Sequence, residues 1–203
     1  MDRMVGAEYH ELKTIQDPTI KLVVQRAAEG SLKGEVHVLT QRIVQDPKIP
    51  GNSPIEKIHY VCQHVLKYTP DPIIGEMIIA PWVMARWIWD YLYENSGIQP
   101  AGDCDCKVTF EMSMLFNRRM ICRAVGACQS DGWPKDQPYQ INHVYSEVKY
   151  DQNVVGFNAP FPNDGTCWIP LEPSSPSLQC GEQRNTVIPM ARYYARVDGQ
   201  DIK

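Results

Sequence analysis

The sequence lacks both the long apolar runs and the positive charge that would indicate a membrane or a nucleic acid as a partner. No stretch reaches the roughly 18 apolar residues that a membrane-spanning helix needs, and the N-terminus has no apolar segment of signal-peptide length. The 20 Lys and Arg residues are fewer than the 24 Asp and Glu residues and are scattered, so no basic surface is expected. These absences predict a soluble, cytoplasmic protein that binds neither membrane nor nucleic acid.

The sequence also lacks internal repeats, low-complexity tracts and an even set of cysteines. Its 203 residues can bury a sizeable core, so disulfide bonds are not needed to stabilise the fold. The seven cysteines are an odd number, which favours buried, reduced thiols with one that is reactive.

Two helices are predicted near the N-terminus. Asp17 and Pro18 are typical of an N-cap followed by proline in the first turn, and Gly30 is expected to end this helix. A second helix is predicted from about residue 34 to just before Pro47. We expect a helical layer over residues 1–50 and a core over 51–203, together forming one compact domain.

Two further helices have clear start signals. Ser53, followed by Pro54 and Glu56, predicts a capping box with proline at the first helical position. The segment 81–93 is rich in tryptophan and tyrosine, and it is expected to form a helix capped by Gly97. Its rings belong either to the core or to a docking surface.

The stretch 101–110 is the one around which the chain is organised. A glycine turn is followed by Cys104 and by apolar residues at helical spacing, which predicts a helix over about 104–117 that begins at Cys104. Backbone N–H groups at a helix start favour a thiolate and can stabilise an oxyanion. Asp103 and Asp105 oppose the thiolate by repulsion, so the acidity of the thiol stays open.

Four strands are predicted after this helix, at about 120–128, 141–150, 167–172 and 187–194. In the second strand, alternation places Val144 and Val148 on one face and His143 on the other. The predicted fold class is therefore α+β, with the Cys104 helix packed on an antiparallel sheet.

Three polar residues stand at matching positions in these elements: Cys104 at a helix start, His143 early in a strand and Glu172 at the end of the next strand. A cysteine nucleophile needs a base, and the base needs an acceptor that orients its ring. Spacing alone does not establish catalysis, because many chains contain such a trio.

The sequences around these residues carry a more specific signal. Gly-Asp-Cys-Asp at 102–105, Asn-His-Val-Tyr-Ser-Glu-Val at 142–148 and Trp-Ile-Pro-Leu-Glu-Pro-Ser at 168–174 occur in this order. Together they resemble the transglutaminase-like cysteine hydrolases, and most of all their short bacterial and phage members, whose motifs run G-D-C-D-D, F-[NS]-H-V-[YW]-x-E-V and W-[VI]-P-L-D-P-[ST]. The resemblance covers about residues 54–175.

The resemblance implies a papain-like fold in which Cys104 is the nucleophile, His143 the base and Glu172 the orienting acid. Two positions depart from the family pattern. Glu172 replaces the usual aspartate and is longer by one methylene, and Cys106 stands where these relatives often have aspartate. No cofactor or metal is implied.

A zinc site is the alternative to a thiol site. Cys104, Cys106, Cys122, Cys128 and His143 include the ligand types that zinc prefers. However, a strand-like run separates Cys122 from Cys128, and helix periodicity points positions 104 and 106 about 200° apart. The spacing therefore disfavours zinc.

The predicted function is hydrolysis of a peptide or isopeptide amide in a protein or peptide substrate, through a thioester on Cys104. Asp103, Asp105 and Lys107, with polar loops at 129–140 and 151–166, suggest a wet, open cleft that favours water over an amine. The oxyanion would be bound by the Cys104 N–H and a second donor, for which Gln99 and Trp82 are candidates. The alternatives are an amine-transferring crosslinking enzyme and a structural or assembly module associated with a phage virion.

Overall fold

The computed structural model describes residues 18–71, 77–131, 133–134, 136–149 and 168–194, and these residues form an α+β fold. The helices are α1 (Pro18–Ser31), α2 (Gly34–Gln45), α3 (Pro54–Tyr60) with a π-helical turn (Val61–Val65), α4 (Pro81–Tyr93) and α5 (Cys104–Asn117). The strands are β1 (Lys67–Tyr68), β2 (Ala101–Gly102), β3 (Cys122–Gln129), β4 (His143–Lys149), β5 (Trp168–Leu171) and β6 (Val187–Tyr194).

The main sheet has four strands in the order β5-β4-β3-β6, and every neighbouring pair is antiparallel. The short strands β1 and β2 form a separate parallel pair, which sets Tyr68 opposite Gly102. An antiparallel sheet beside a set of helices agrees with the predicted α+β class. All four predicted strands are present where they are described; Cys167, the first residue of the third one, lies outside the described residues.

Helix α5 lies at the centre of the molecule. All of its residues from Asp105 to Phe116 are buried, because α1 packs along it on one side and β4 on another. Apolar side chains of α1, α2, α3 and α4 join the same core as those of α5. The N-terminal helices therefore share one core with the rest of the described chain.

The two faces of strand β4 contact different clusters, as the alternation of its residues predicts. Val144 and Val148 belong to the main core beneath α5. Tyr145 belongs to a smaller cluster with Val125 and Val187. Strand alternation thus assigns β4 residues to faces correctly.

The helix starts agree with the sequence, whereas two helix ends do not. Helix α1 passes through Gly30, which was predicted to end it, and stops at Ser31. Ser53 and Glu56 form the predicted capping box at the start of α3. Helix α4 ends at Tyr93 with Glu94 as its C-cap, so the prediction that Gly97 caps it is wrong. Asn95, with a φ of 51°, already leaves the helical path there, and asparagine tolerates this left-handed conformation better than most residues. The predicted cap Asp17 lies outside the described residues.

Within the described ranges, none of the helices combines the length and the apolar character needed to cross a lipid bilayer. All six cysteines that the structure describes are free thiols, as the sequence predicts.

Gly102 packs so tightly at the start of α5 that an added methyl group should destabilise the fold. A Cβ at this position would lie 2.7 Å from the Cβ of Cys106, and both atoms are fixed by backbone. We expect Gly102→Ala to lower the free energy of unfolding by about 1–3 kcal/mol, measured by urea denaturation. Gly34→Ala is the matched control because nothing lies within 4 Å of its new methyl group. Equal stability of the two variants would contradict the close packing.

Candidate active site

Cys104 is the first residue of α5, as the sequence predicts. The side chain of Asp103 caps this helix by accepting a hydrogen bond from the N–H of Cys106 at 3.1 Å. Strand β2 leads directly into the cap and is held against β1, where the N–H of Thr69 donates to the carbonyl of Gly102. The thiol position is therefore defined by a cap on one side and a strand pair on the other.

The environment of the Cys104 thiol favours its neutral form. Burial raises its pKa to about 12, and the negative charges of Asp103, Asp105 and Glu172 act in the same direction. A hydrogen bond with the backbone of Val144 acts in the opposite direction and lowers the pKa. Burial, with the repulsion by Asp103 and Asp105 added to it, thus keeps the isolated thiol protonated at neutral pH.

His143 and Glu172 form a direct pair. Nε2 of His143 lies 2.6 Å from Oε2 of Glu172, whose side chain is only 3% exposed. The other carboxylate oxygen, Oε1, accepts a hydrogen bond from the N–H of Ser174 at 3.2 Å. β4 and β5 are antiparallel, and Glu172 follows Leu171, the last residue of β5, which pairs with Ser146 of β4. The longer glutamate side chain therefore reaches the imidazole.

Two of the three predicted residues, His143 and Glu172, are in direct contact, and Cys104 lies beside the residue that follows His143. The backbone of Val144, the residue after His143, contacts the Cys104 thiol, and the charge of Glu172 acts on the same thiol. Glu172 occupies Nε2 of His143, so Nδ1 is the ring nitrogen available to a thiol. A carboxylate bound to Nε2 can hold the imidazole ring in one orientation and one tautomer.

Cys106 has a structural role at the position where aspartate is expected. Its thiol donates a hydrogen bond to the carbonyl of Met77 at 3.0 Å and accepts one from the N–H of Ile79 at 3.3 Å. Burial raises the pKa of Cys106 well above its ordinary value, so it stays a thiol donor. Cys106 thus attaches the segment before α4 to the start of α5.

The prediction of a wet, open cleft around residues 103–107 is wrong for the side chains that suggested it. Asp103, Asp105 and Lys107 are all buried, because α5 begins inside the core rather than at its surface. The loop at 151–166 lies outside the described residues. The choice between water and an amine as acceptor must therefore depend on other features of the site.

The two suggested oxyanion donors are placed elsewhere. The side-chain amide of Gln99 donates to the carbonyl of Val65 at 3.1 Å, where it joins two loops. Trp82 lies at the start of α4 with the Lys33 ammonium 5.1 Å from its ring centroid. Both side chains are engaged in packing the helical layer and the β1–β2 region.

Tyr68 is a neighbour of the thiol that the sequence analysis missed. It pairs with Gly102, two residues before Cys104, and its side chain is 48% exposed. Partial burial raises the pKa of Tyr68, and the nearby Cys104 and Asp103 raise it further. The phenol is therefore a neutral hydrogen-bond donor beside the site. A two-residue strand gives too weak a sequence signal to reveal this pairing.

A buried polar network supports the helix behind the thiol. Oε1 of Glu111 lies 2.7 Å from Nδ1 of His59, and Oε2 accepts a hydrogen bond from Ser146 at 2.5 Å. One turn closer to Cys104, the Lys107 ammonium donates to the carbonyl of Pro173 at 3.0 Å. The sequence signal for this network is the i, i+4 spacing of Lys107 and Glu111, two charged residues in a helix that also carries many apolar residues.

The one cluster of metal-ligand types found among the described residues differs from the zinc set considered above. It consists of Asp103, Asp105 and Cys106, whose candidate ligand atoms lie within 4.8 Å of one another. Both carboxylates already accept hydrogen bonds from the N–H of Cys106, at 3.1 and 2.6 Å. These contacts are those of a helix cap.

Comparison with known proteins finds no match for this chain among family models, curated proteins or solved structures.

Cys104 should be the first of the cysteines to react with limiting iodoacetamide at neutral pH, provided that His143 accepts its proton. In His143→Ala this reaction should require strongly alkaline conditions, because burial and Asp103 hold the pKa of Cys104 at about 12. The measurement is the rate of Cys104 alkylation against pH, followed by peptide mass spectrometry. His64→Ala is the control, because that histidine lies on the π-helical turn and stacks on Tyr60. Identical pH profiles for wild type and His143→Ala would exclude His143 as the base.

Proposed function

We propose that this protein is a thiol hydrolase that cleaves peptide or isopeptide amides with Cys104, His143 and Glu172. The observation that carries the proposal is the 2.6 Å contact between Nε2 of His143 and the buried Glu172 carboxylate, beside a thiol at a helix start. A buried acid bonded to one ring nitrogen sets the tautomer in which the other nitrogen can accept a proton.

The proposed chemistry begins with a neutral thiol. The pKa of Cys104 is raised, so the proton moves from Sγ to Nδ1 of His143 as sulfur attacks the amide carbonyl. The tetrahedral intermediate then collapses, the imidazolium protonates the leaving amine, and a thioester remains on Cys104. Water, deprotonated by the same imidazole, attacks the thioester and regenerates the thiol. Glu172 stabilises the imidazolium that forms in each half of the cycle.

We propose a papain-like, transglutaminase-like core for the same chain. The supporting features are the nucleophile at the first turn of a central helix and a base at the start of a strand packed beside it. The acid follows the neighbouring antiparallel strand, which is the order of the three sequence motifs. The helical layer formed by α1 and α2 is additional to this core.

Tyr68 is the second oxyanion donor in this proposal, beside the backbone N–H of Cys104. Its strand pairing with Gly102 places it next to the nucleophile, and its raised pKa keeps the phenol protonated when the thiol is attacked. Its exposure of 48% also indicates that solvent reaches this side of the site, which favours water as the acceptor of the acyl group.

A docking module is the second candidate function, and one observation favours it. A groove of about 470 Å³ lies between α2 and α4, away from the proposed active site. Its lining includes Trp89 and the carboxylates of Glu35, Asp90 and Glu94, against a single arginine, Arg86. This charge suits a basic segment of another protein, such as a virion component. An inert Cys104 together with binding of a basic peptide in this groove would favour docking over catalysis.

Incubation with a glutamine-containing peptide and a fluorescent primary amine tests the proposed reaction directly. We expect release of ammonia with little incorporation of the amine, because water reaches the thioester. Cys104→Ala should abolish both reactions and is the control for contaminating enzymes. Amine incorporation that exceeds hydrolysis would identify a crosslinking enzyme. If peptide bonds and side-chain amides both stay intact in wild-type protein, the hydrolase proposal is wrong.

Glu172→Gln should lower kcat by about 10²–10⁴-fold while changing stability far less, because an amide no longer stabilises the imidazolium and can fix the wrong tautomer. Glu182→Gln is the matched control, since that glutamate also accepts a backbone N–H, from Gln179, but lies outside the site. Turnover and urea denaturation are measured on both variants. A loss of stability large enough to account for the loss of activity would make Glu172 a structural residue.

Tyr68→Phe should lower kcat for an amide by about 10²–10³-fold, the usual effect of losing one oxyanion donor. The same variant should react with iodoacetamide at the wild-type rate, because displacement of iodide forms no oxyanion. Comparing the two rates separates an oxyanion role from an effect on the thiol itself. An unchanged kcat would remove Tyr68 from the mechanism.

A further inference from the structure

The acid of the proposed site is held by a loop rather than by a strand. Strand β5 ends at Leu171, so Glu172 is the first residue of the segment 172–178, here called the acid loop. Within this loop, the N–H of Ser175 donates to the carbonyl of Glu172 at 3.3 Å and the N–H of Leu178 donates to that of Ser175 at 3.1 Å. Two backbone hydrogen bonds alone would fix the position of the Glu172 carboxylate against the imidazole only weakly. The loop therefore needs support from other elements.

Gln63 supplies most of this support. Its side-chain amide Nε2 donates to the carbonyls of Ser175 at 2.6 Å and Leu178 at 2.7 Å, and it lies 3.4 Å from the carbonyl of Glu172. An amide nitrogen carries two protons, which match the two short bonds. The side chain is buried, so these carbonyls have no ready replacement by bulk water.

The backbone conformation at Gln63 is unusual and directs the side chain to the loop. Residues Val61–Val65 form a π-helical turn in which the N–H of Leu66 donates to the carbonyl of Val61. Such turns insert one residue into a helix and often occur at functional sites. Here four of the five residues in the turn are buried, and Gln63 is the one whose amide contacts the acid loop.

Lys107, on α5, supports the same loop. Its ammonium donates to the carbonyl of Pro173 at 3.0 Å, although the residue is only 1% exposed. Lys107 lies one turn after Cys104 on α5, so the loop is connected to the helix that carries the nucleophile. Gln63 and Lys107 together bond to carbonyls on both sides of Ser174, whose N–H in turn binds the Glu172 carboxylate.

We propose that Gln63 is a positioning residue that acts through Glu172 on the tautomer and basicity of His143. This inference rests on the proposed function for its catalytic consequence, but its structural effect can be measured independently. Without the amide, two buried carbonyls lose their donors and the loop must rearrange to hydrate them. A shift of about 1 Å at Glu172 is enough to weaken a short, directional bond to an imidazole.

The test is Gln63→Met, which keeps the length of the side chain and removes its donors. Asn117→Leu is the matched control, because Asn117 also donates a side-chain amide to a backbone carbonyl, that of Ser31 at 2.9 Å, but at the far end of α5. The readouts are the hydrogen-bonded Nε2–H resonance of His143 in the NMR spectrum of labelled protein, and the iodoacetamide alkylation rate of Cys104 against pH.

Gln63→Met should lose the His143 resonance or move it upfield, and Cys104 alkylation at neutral pH should slow by about tenfold or more. Asn117→Leu should keep both properties at wild-type values. If folded Gln63→Met keeps the resonance and the alkylation rate, or if Asn117→Leu loses them equally, the inference is wrong. Should Gln63→Met fail to fold, Gln63→Leu replaces it, since leucine also has no donors and is a smaller apolar side chain.

Failure of this inference can be told apart from failure of the proposed function. Wild-type protein that shows the His143 resonance, with its loss in Gln63→Met, supports the positioning role even if no amide is hydrolysed. Amide hydrolysis by wild type, with an unchanged resonance in Gln63→Met, overturns the positioning role alone.

Discussion

The burial of α5 on every side is the constraint on which the rest of this structure depends. A helix that is surrounded by protein cannot leave its charged side chains to water, and two of them, Glu111 and Lys107, bond to groups of other elements. Glu111 finds His59 and Ser146, and Lys107 finds the carbonyl of Pro173. These bonds connect α3, β4 and the acid loop to the helix whose first residue is Cys104. The hydrogen bonds of buried polar side chains on α5 therefore bring together the segments that carry the proposed site.

The same burial explains the charge state at the thiol. A helix start alone would favour a thiolate, but here the cap is an aspartate and the next turn is inside the core. The cost of desolvating sulfur and the repulsion from Asp103 outweigh the helix effect. The proposed enzyme therefore depends on its base more than an enzyme with a preformed thiolate would. The activity of the proposed enzyme therefore depends strongly on the contact between His143 and Glu172 and on the residues that hold Glu172 in place.

Local sequence signals were sufficient wherever a structure depends on neighbouring residues. The capping box at Ser53, the helix start at Cys104 and the two faces of β4 are all readable from spacing of a few residues. The position of His143 at the start of β4 follows from the same patterns, and Glu172 lies one residue beyond the end of β5. These local patterns were enough to predict the α+β class, which the structure confirms. The chemical roles of Cys104, His143 and Glu172 stay predictions.

The features that the sequence did not reveal depend on contacts between distant parts of the chain. Lys107 was expected in an open cleft because lysine is rarely buried, and its carbonyl partner is 66 positions away. Gln63 contacts carbonyls more than 100 positions away, and glutamine has no local pattern that would announce this. Gly97 was expected to cap α4, but Asn95 ended the helix first. Every residue has a backbone carbonyl, so the sequence does not indicate which carbonyl a buried side chain will bind.

The acid loop is recognised through its main chain, and this has a consequence for how the protein can diversify. Gln63 and Lys107 bind carbonyl oxygens, which every amino acid possesses, while Pro176 and Ser177 point their side chains to solvent. Substitutions at these outer positions change the surface of the loop without altering the carbonyl groups that the two donors bind. The exposed surface of the acid loop is therefore free to vary in sequence while the position of Glu172 stays the same.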